Sequence, residues 1–244
     1  MDDAQAVEGP PHAKMVGGVW LPETEVHFVE GMTSGKRRRE VEGRLTYQYH
    51  KYEAALGYLP AGRRRVAVDI GAHVGLWSMW IARDFDTVHA FEPAPPHAEI
   101  FPWNVDMEHV RLHRCALGRA DGTVDITVPE RQTGGAYVET GSGNPGTRYN
   151  DGGGYKVYRA LPRRTLDSFR LPLIDFIKID VEGYELAVLE GARQTLLHCR
   201  PLIMVEQKGN EAAYGEPRNA AVGYLQKLGM RDRKVIAGDH ILTW

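Results

Sequence analysis

Five short stretches, Val66–Ile70, Val88–Phe91, Val110–Leu112, Phe176–Ile179 and Leu202–Val205, are apolar at nearly every position rather than at every second one. Strands buried on both faces read this way. Helix-like spacings separate most of these runs, so the pattern predicts an α/β fold with a parallel sheet covered on two sides. The segment after Gly75 (Leu76, Trp77, Met79, Trp80, Ile81) is apolar almost all round and predicts a well-buried helix. Tyr184, Val188, Ala192 and Leu196 predict a single amphipathic helix. Arg233–Ala237 and His240–Trp244, joined at Gly238-Asp239, predict a C-terminal antiparallel hairpin.

Upstream of the first run the pattern differs. Apolar and turn residues alternate between Met15 and Phe28, which predicts a hairpin. Leu45, Tyr49, Tyr52 and Leu56 recur at three- and four-residue steps and predict a helix over 42–59, stopped by Pro60-Ala-Gly62. The expected organisation is a frayed tail (1–14), an N-terminal extension of hairpin and helix (15–62) and an α/β domain (63–244). The extension's aromatic face reads as a cap, packing surface or homodimer interface. Between Thr133 and Gly154, 8 of 22 residues are glycine, which predicts an insert that closes over a ligand.

Composition narrows the classes. The chain has 244 residues, 43% of them hydrophobic, and a formal net charge of −2, which excludes a largely disordered chain and argues against bulk electrostatic binding of nucleic acid. The two cysteines, Cys115 and Cys199, make no disulfide framework, and the acidic N-terminus has no apolar signal core, so a reducing, cytoplasmic setting is expected. No apolar run approaches the ~18 residues of a membrane span.

The chemistry centres on two motifs at strand ends. Asp69-Ile-Gly-Ala-His-Val-Gly75 follows the first run and opens a helix. Gly71 permits a tight turn and close ligand approach, Gly75 close packing, and the helix start offers N–H donors to a carboxylate. Glu92, 21 positions after Gly71 and beside Pro93, ends the second run, where an acid accepts ribose hydroxyls. The pyrophosphate fingerprint of nicotinamide enzymes is missing. An acid before the glycines instead favours a ligand carrying ammonium or sulfonium, which S-adenosylmethionine does. A plain strand–turn corner capped by Asp69 is the bland alternative.

The second motif is Ile177-Lys-Ile-Asp-Val-Glu-Gly-Tyr-Glu185, whose Asp180 and Glu182 converge on the same crevice. Both acids also read as cap and first-turn residues of a helix. In the functional reading Asp180 sits near the methyl-transfer point, and Glu182 anchors the acceptor or serves as base. His73 is a candidate contact or base, though a loop histidine bonded to backbone is the commoner case. Arg163 and Arg164 would bind an anionic substrate group, and Glu206 lies at the same rim. A divalent ion on Asp180, Glu182 and Glu206 is conceivable, but no metal is assigned.

These motifs, with Ala116-Leu-Gly118, Arg164-Thr-Leu-Asp167, Leu189-Glu-Gly191 and Pro201–Glu206, resemble the FkbM-type methyltransferases over residues 64–208. The resemblance implies a Rossmann-like class I fold with a seven-stranded sheet. It also implies S-adenosylmethionine, leaving S-adenosylhomocysteine, as the methyl source for O-methylation. By that resemblance Asp69, Gly71, Glu92 and Asp180 line the cofactor pocket, with Ala72, His73, Gly75 and Pro93 in the same motifs and Ala116 near adenine. The expected acceptor is a hydroxyl of a sugar or small metabolite. A nucleic-acid methyltransferase using the basic clusters Lys36–Arg39 and Arg63–Arg65, and a non-catalytic cofactor-binding module, are the alternatives.

Overall fold

A computed structural model describes residues 9–34, 38–139 and 153–244. In chain order the elements are β1 (Ala13–Val16), β2 (Val19–Pro22), α1 (His27–Thr33), β3 (Glu40–Val41), β4 (Arg44–Leu45), α2 (Tyr49–Leu56), β5 (Val66–Ile70), α3 (Ser78–Asp84), β6 (Thr87–Phe91), α4 (Pro95–Asn104), β7 (Val110–His113), β8 (Ala116–Leu117), β9 (Gly122–Pro129), β10 (Tyr137–Val138), β11 (Tyr155–Arg164), β12 (Phe176–Ile179), α5 (Glu185–Glu190), α6 (Arg193–Cys199), β13 (Leu202–Glu206), α7 (Ala220–Lys227), β14 (Arg231–Ile236) and β15 (Asp239–Thr243).

The main sheet has seven strands in the order β14-β15-β13-β12-β5-β6-β7, and β15 alone runs against its neighbours. This is the expected Rossmann-like class I arrangement with its antiparallel C-terminal hairpin. All five double-sided apolar runs are strands. Alternate residues along them feed two apolar layers. One layer holds Ala67, Val88, Ala90, Met204 and Ile241 and packs with the extension's Val19, Leu21, Met32, Tyr52 and Ala55. The other holds Val68, Ile70, Ile177, Ile203 and Val205 under Val188, Leu196 and Leu225.

Several expectations are corrected. The tail is shorter than predicted, because β1 starts at Ala13 and Pro10 is buried. Leu45 lies in a two-residue hairpin rather than a helix, since Glu42 and Gly43 turn the chain with φ of 51° and 75°, and the helix starts only at Tyr49. The single helix expected from Tyr184 to Leu196 is two helices broken at Gly191, where a Cβ would lie 2.0 Å from the Gly118 carbonyl oxygen. The terminal turn is Ala237-Gly238, and Asp239 is the first residue of β15. Residues 140–152 of the glycine-rich insert lie outside the described residues. Its start forms a short 3-10 turn at Thr133–Gly135, then β10. A second sheet, ordered β10-β9-β11-β8, was not expected. No helix among the described residues is long and apolar enough to cross a membrane.

Candidate active site

The carboxyl ends of β5, β6, β12 and β13 meet at one crevice. At its floor Gly71 has φ +76°, and a Cβ there would lie 1.9 Å from the Asp180 carbonyl oxygen. The two motif loops therefore touch backbone to backbone, which only a glycine allows. Gly75 (φ +90°) packs against Val105 in the same way. The loop's donors turn inward. Gly71 and Ala72 N–H bond the Phe91 carbonyl, both at 3.1 Å, His73 N–H bonds Glu92 Oε2 at 2.9 Å, and Gly75 N–H bonds the Ala72 carbonyl at 2.9 Å. These four N–H groups are thus engaged within the protein rather than offered to a carboxylate, and α3 begins only at Ser78.

Asp69 is fully buried and belongs to the wall of neither of the two cavities described below. It accepts a bond from Ser78 Oγ at 2.6 Å and lies 3.3 Å from Lys178 Nζ. Lys178 also donates to the Gly71 carbonyl at 2.9 Å and lies 4.0 Å from Asp180. Burial pushes the Lys178 ammonium down, but Asp69 and Asp180 outweigh it, and its pKa is raised. Lys178 is therefore the counter-charge of Asp69, a role that sequence reasoning gave to a ligand. A lysine inside the apolar run Phe-Ile-Lys-Ile was the available signal, because a buried lysine requires a partner.

Two cavities meet here. The first is walled by Glu92, Pro93, His97, Cys115, Ala116, Leu117, Tyr137, Val138 and Tyr184. The second, with about 380 Å³ of free space, is walled by Phe28, Tyr47, Gln48, Ala72, Trp77, Lys178, Glu182, Glu206, Lys208 and Asn210. Gly71, His73, Gly134 and Asp180 belong to both walls and mark the junction.

Glu92 is held by three donors: Ala94 N–H (2.9 Å) and His97 Nδ1 (3.3 Å) on Oε1, and His73 N–H on Oε2. In the second cavity, ligand oxygens of Asp180, Glu182 and Glu206 all lie within 4.8 Å of one another. Asn210 Nδ2 donates to Glu182 at 2.5 Å, and Lys208 pairs with Glu206. Burial first, then Asp180 and Glu182, push the Glu206 carboxyl well above the carboxylate range. Three acids this close would suit a shared cation, yet two ammonium groups, Lys178 and Lys208, already face them. His73 is buried and neutral, its pKa lowered by desolvation and then by His97 and Lys178. His97, Lys178 and Lys208 were not singled out from sequence.

Some predicted residues are not brought to the crevice. Arg163 Nε bonds the Ala120 carbonyl at 2.9 Å, and Arg164 pairs with Asp121 at 3.1 Å, so both serve the second sheet. Gly75 packs beneath the site. Arg63 and Arg65 clamp buried Asp175 at 3.0 and 2.7 Å, and Arg39 pairs with Glu53. These described arginines of the basic clusters are thus engaged in ion pairs within the protein, while Lys36 and Arg37 lie outside the described residues. Cys115 is buried, its thiol pushed up to about 11 by burial.

The sequence signature of the "Methyltransferase FkbM domain" family matches residues 69–231. Among curated relatives, "Methyltransferase 1" of Beauveria bassiana is 27% identical over 141 residues, covering 51% of this chain and 57% of that protein. "Methyltransferase sdnD" of Sordaria araneosa is 31% identical over 155 residues, covering 51% and 59%. The chain thus spans under two thirds of the curated relatives it matches. A crystal structure of methyltransferase FkbM from Methylobacillus flagellatus aligns at TM-score 0.46 and 18% identity, over 76% of this chain and 44% of that one.

Proposed function

The chain belongs to the FkbM methyltransferase family, and from that premise we propose that it is an S-adenosylmethionine-dependent O-methyltransferase acting on a hydroxyl of a sugar or small metabolite. One observation carries this reading: a partly apolar cavity ending in Glu92 opens, at Asp180 and His73, onto a larger cavity rich in carboxylates. We assign the first cavity to the cofactor's nucleoside on the chemistry of its wall, which sets the Glu92 carboxylate beside apolar Ala116, Leu117 and Val138. Glu92, at the tip of β6, is the group in that wall placed to accept ribose hydroxyls. Gly71 lets the two motif loops meet at its floor.

When bound, the cofactor supplies an electrophilic methyl group on a positively charged sulfur. Asp180, at the junction, favours positive charge there. In the second cavity Glu206 accepts the proton of the acceptor hydroxyl. Its burial raises its affinity for that proton, and Lys208 holds the carboxylate in place. Glu182, Asn210 and Gln48 offer polar partners and Trp77 and Tyr47 ring faces, a wall suited to a polyol or sugar. Most of the acceleration comes from aligning hydroxyl and methyl carbon across the junction.

Calorimetry with S-adenosylhomocysteine tests the donor half, and methyl-labelled cofactor with a fractionated extract tests the acceptor half. Binding of the product and label in a polyol or phenolic fraction support the reading. No heat of binding refutes it, and label confined to RNA or DNA replaces the acceptor class.

A further inference from the structure

Glu182 holds a backbone conformation that L side chains seldom adopt. Its φ is +53°, and Gly183 after it has φ +104°, with the place of a Cβ only 2.6 Å from the Asn210 backbone. Such a turn persists only where its surroundings fix it. Here the fixing group is Glu185, buried at the start of α5. Its Oε1 accepts from Val181 N–H (3.2 Å) and Gly183 N–H (2.9 Å), the residues on either side of Glu182. Its Oε2 accepts from Gln207 Nε2 at 3.1 Å. Gln207 is buried as well, and Ala221 N–H donates to its Oε1 at 3.0 Å, which turns the amide nitrogen toward Glu185. Gln207 directly follows Glu206, the last residue of β13. One buried carboxylate thus ties the loop that carries Glu182 to the strand end that carries Glu206.

Asp180 is held by other means. Its N–H bonds the Ile70 carbonyl at 3.1 Å, and its own carbonyl abuts Gly71. Loss of the Glu185 contacts therefore reaches the second cavity and spares the first. Resting on the reading of the second cavity as the acceptor site, we propose that Glu185 is a positioning residue which, through Gln207, sets Glu182 against Glu206 across that cavity. The role lies in the hydrogen bonds: every partner of Glu185 among the described residues is an N–H donor. A carboxylate can take them all, and an amide cannot.

Glu185→Gln keeps the shape and breaks the set, because its NH₂ must face either the Gln207 NH₂ or the two backbone N–H groups, and buried donors lose their acceptor. The reciprocal exchange Glu185→Gln/Gln207→Glu restores every bond. The amide at 185 then donates to a carboxylate at 207, whose other oxygen still accepts from Ala221 N–H. Asn210 is the reporter, since its Nδ2 donates to Glu182 at 2.5 Å. The full chain is studied at about pH 9, above the value of about 8 to which burial pushes the Glu185 carboxyl. In ¹⁵N-labelled protein the Asn210 side-chain signal should shift in Glu185→Gln and return in the exchange. Methyl transfer to the fraction labelled in extract should fall in kcat/KM by about tenfold to a hundredfold and recover likewise. Affinity for S-adenosylhomocysteine should stay within about twofold throughout. An unmoved Asn210 signal in Glu185→Gln overturns the proposal, and so does a folded double variant that fails to restore it. If the single variant does not fold, a parent-like Asn210 signal in the double variant upholds the proposal and a displaced one overturns it. Rapid hydrogen exchange at the Val181 and Gly183 amides of the parent overturns it without any variant. No binding of S-adenosylhomocysteine by the parent overturns the cofactor reading, while the Asn210 signal still decides the role of Glu185.

Discussion

The contact between Gly71 and Asp180 can be tested by adding one carbon. In Gly71→Ala the backbone must hold φ +76°, where an L-residue costs about 1–2 kcal/mol. The new Cβ would stand 1.9 Å from the Asp180 carbonyl oxygen, a backbone atom that cannot swing aside. Relief requires the ends of β5 and β12 to separate, an overpacking cost of about 1–3 kcal/mol. Together the loss should be about 2–5 kcal/mol. Gly43 provides the control, because its φ is +75° with nothing within 4 Å of a Cβ. Gly43→Ala should therefore show the backbone cost alone, about 1–2 kcal/mol. Urea denaturation of both variants reads the difference, and calorimetry with S-adenosylhomocysteine should show weakened binding only in Gly71→Ala. If the two midpoints agree within about 0.5 kcal/mol, the loops do not meet as described and the junction loses its physical basis.

Lys51 and Asp239 form a buried ion pair between α2 and β15, so Lys51→Met should cost about 3–5 kcal/mol, and Lys51→Met/Asp239→Leu should recover much of it in the same melts. Burial opposes ionisation of Asp175, but Arg65 and Arg63 prevail and hold its carboxyl at about 2. Because that value lies below the unfolded one, the stabilisation is full above about pH 4 and lost as pH falls through about 2; Asp175→Asn should flatten this acid limb. Glu206→Gln should lower kcat by about 10²–10⁴. With Glu206 as base, kcat should rise with pH through a pKa above the usual carboxylate range, and survival of that limb in the variant would remove Glu206 from the role.

The main sheet was legible because its strands are buried on both faces, a pattern that leaves little room for other readings. The positions of Glu92 and Asp180 beside the crevice were legible through their places at strand ends. The second sheet was missed although Thr123–Val128 alternates visibly. Val124, Ile126 and Val128 point inward there, and the glycine-rich stretch beside them drew the reading toward a loop. The Gly191 break could not be read, because its cause is a backbone 73 positions away. Asp69 illustrates a general limit: a motif acid looks like a ligand contact until its lysine is seen beside it. The Glu25–Thr133–His73 chain joins residues 108 and 60 positions apart, a separation that periodicity does not span.

The extension contributes Phe28, Tyr47 and Gln48 to the second cavity but no wall of the first. On the proposed reading, the acceptor cavity therefore borrows part of its wall from the extension and the donor cavity does not. On the same reading, a chimera that exchanged residues 15–62 between relatives but kept Glu25, which holds Thr133 beside His73, would keep its donor half while changing what it modifies. The graft would have to travel with its anchors, Asn104, which bonds Trp20 N–H and carbonyl at 2.7 and 2.8 Å, and Asp239. Those two positions are where such a transplant would first be rejected.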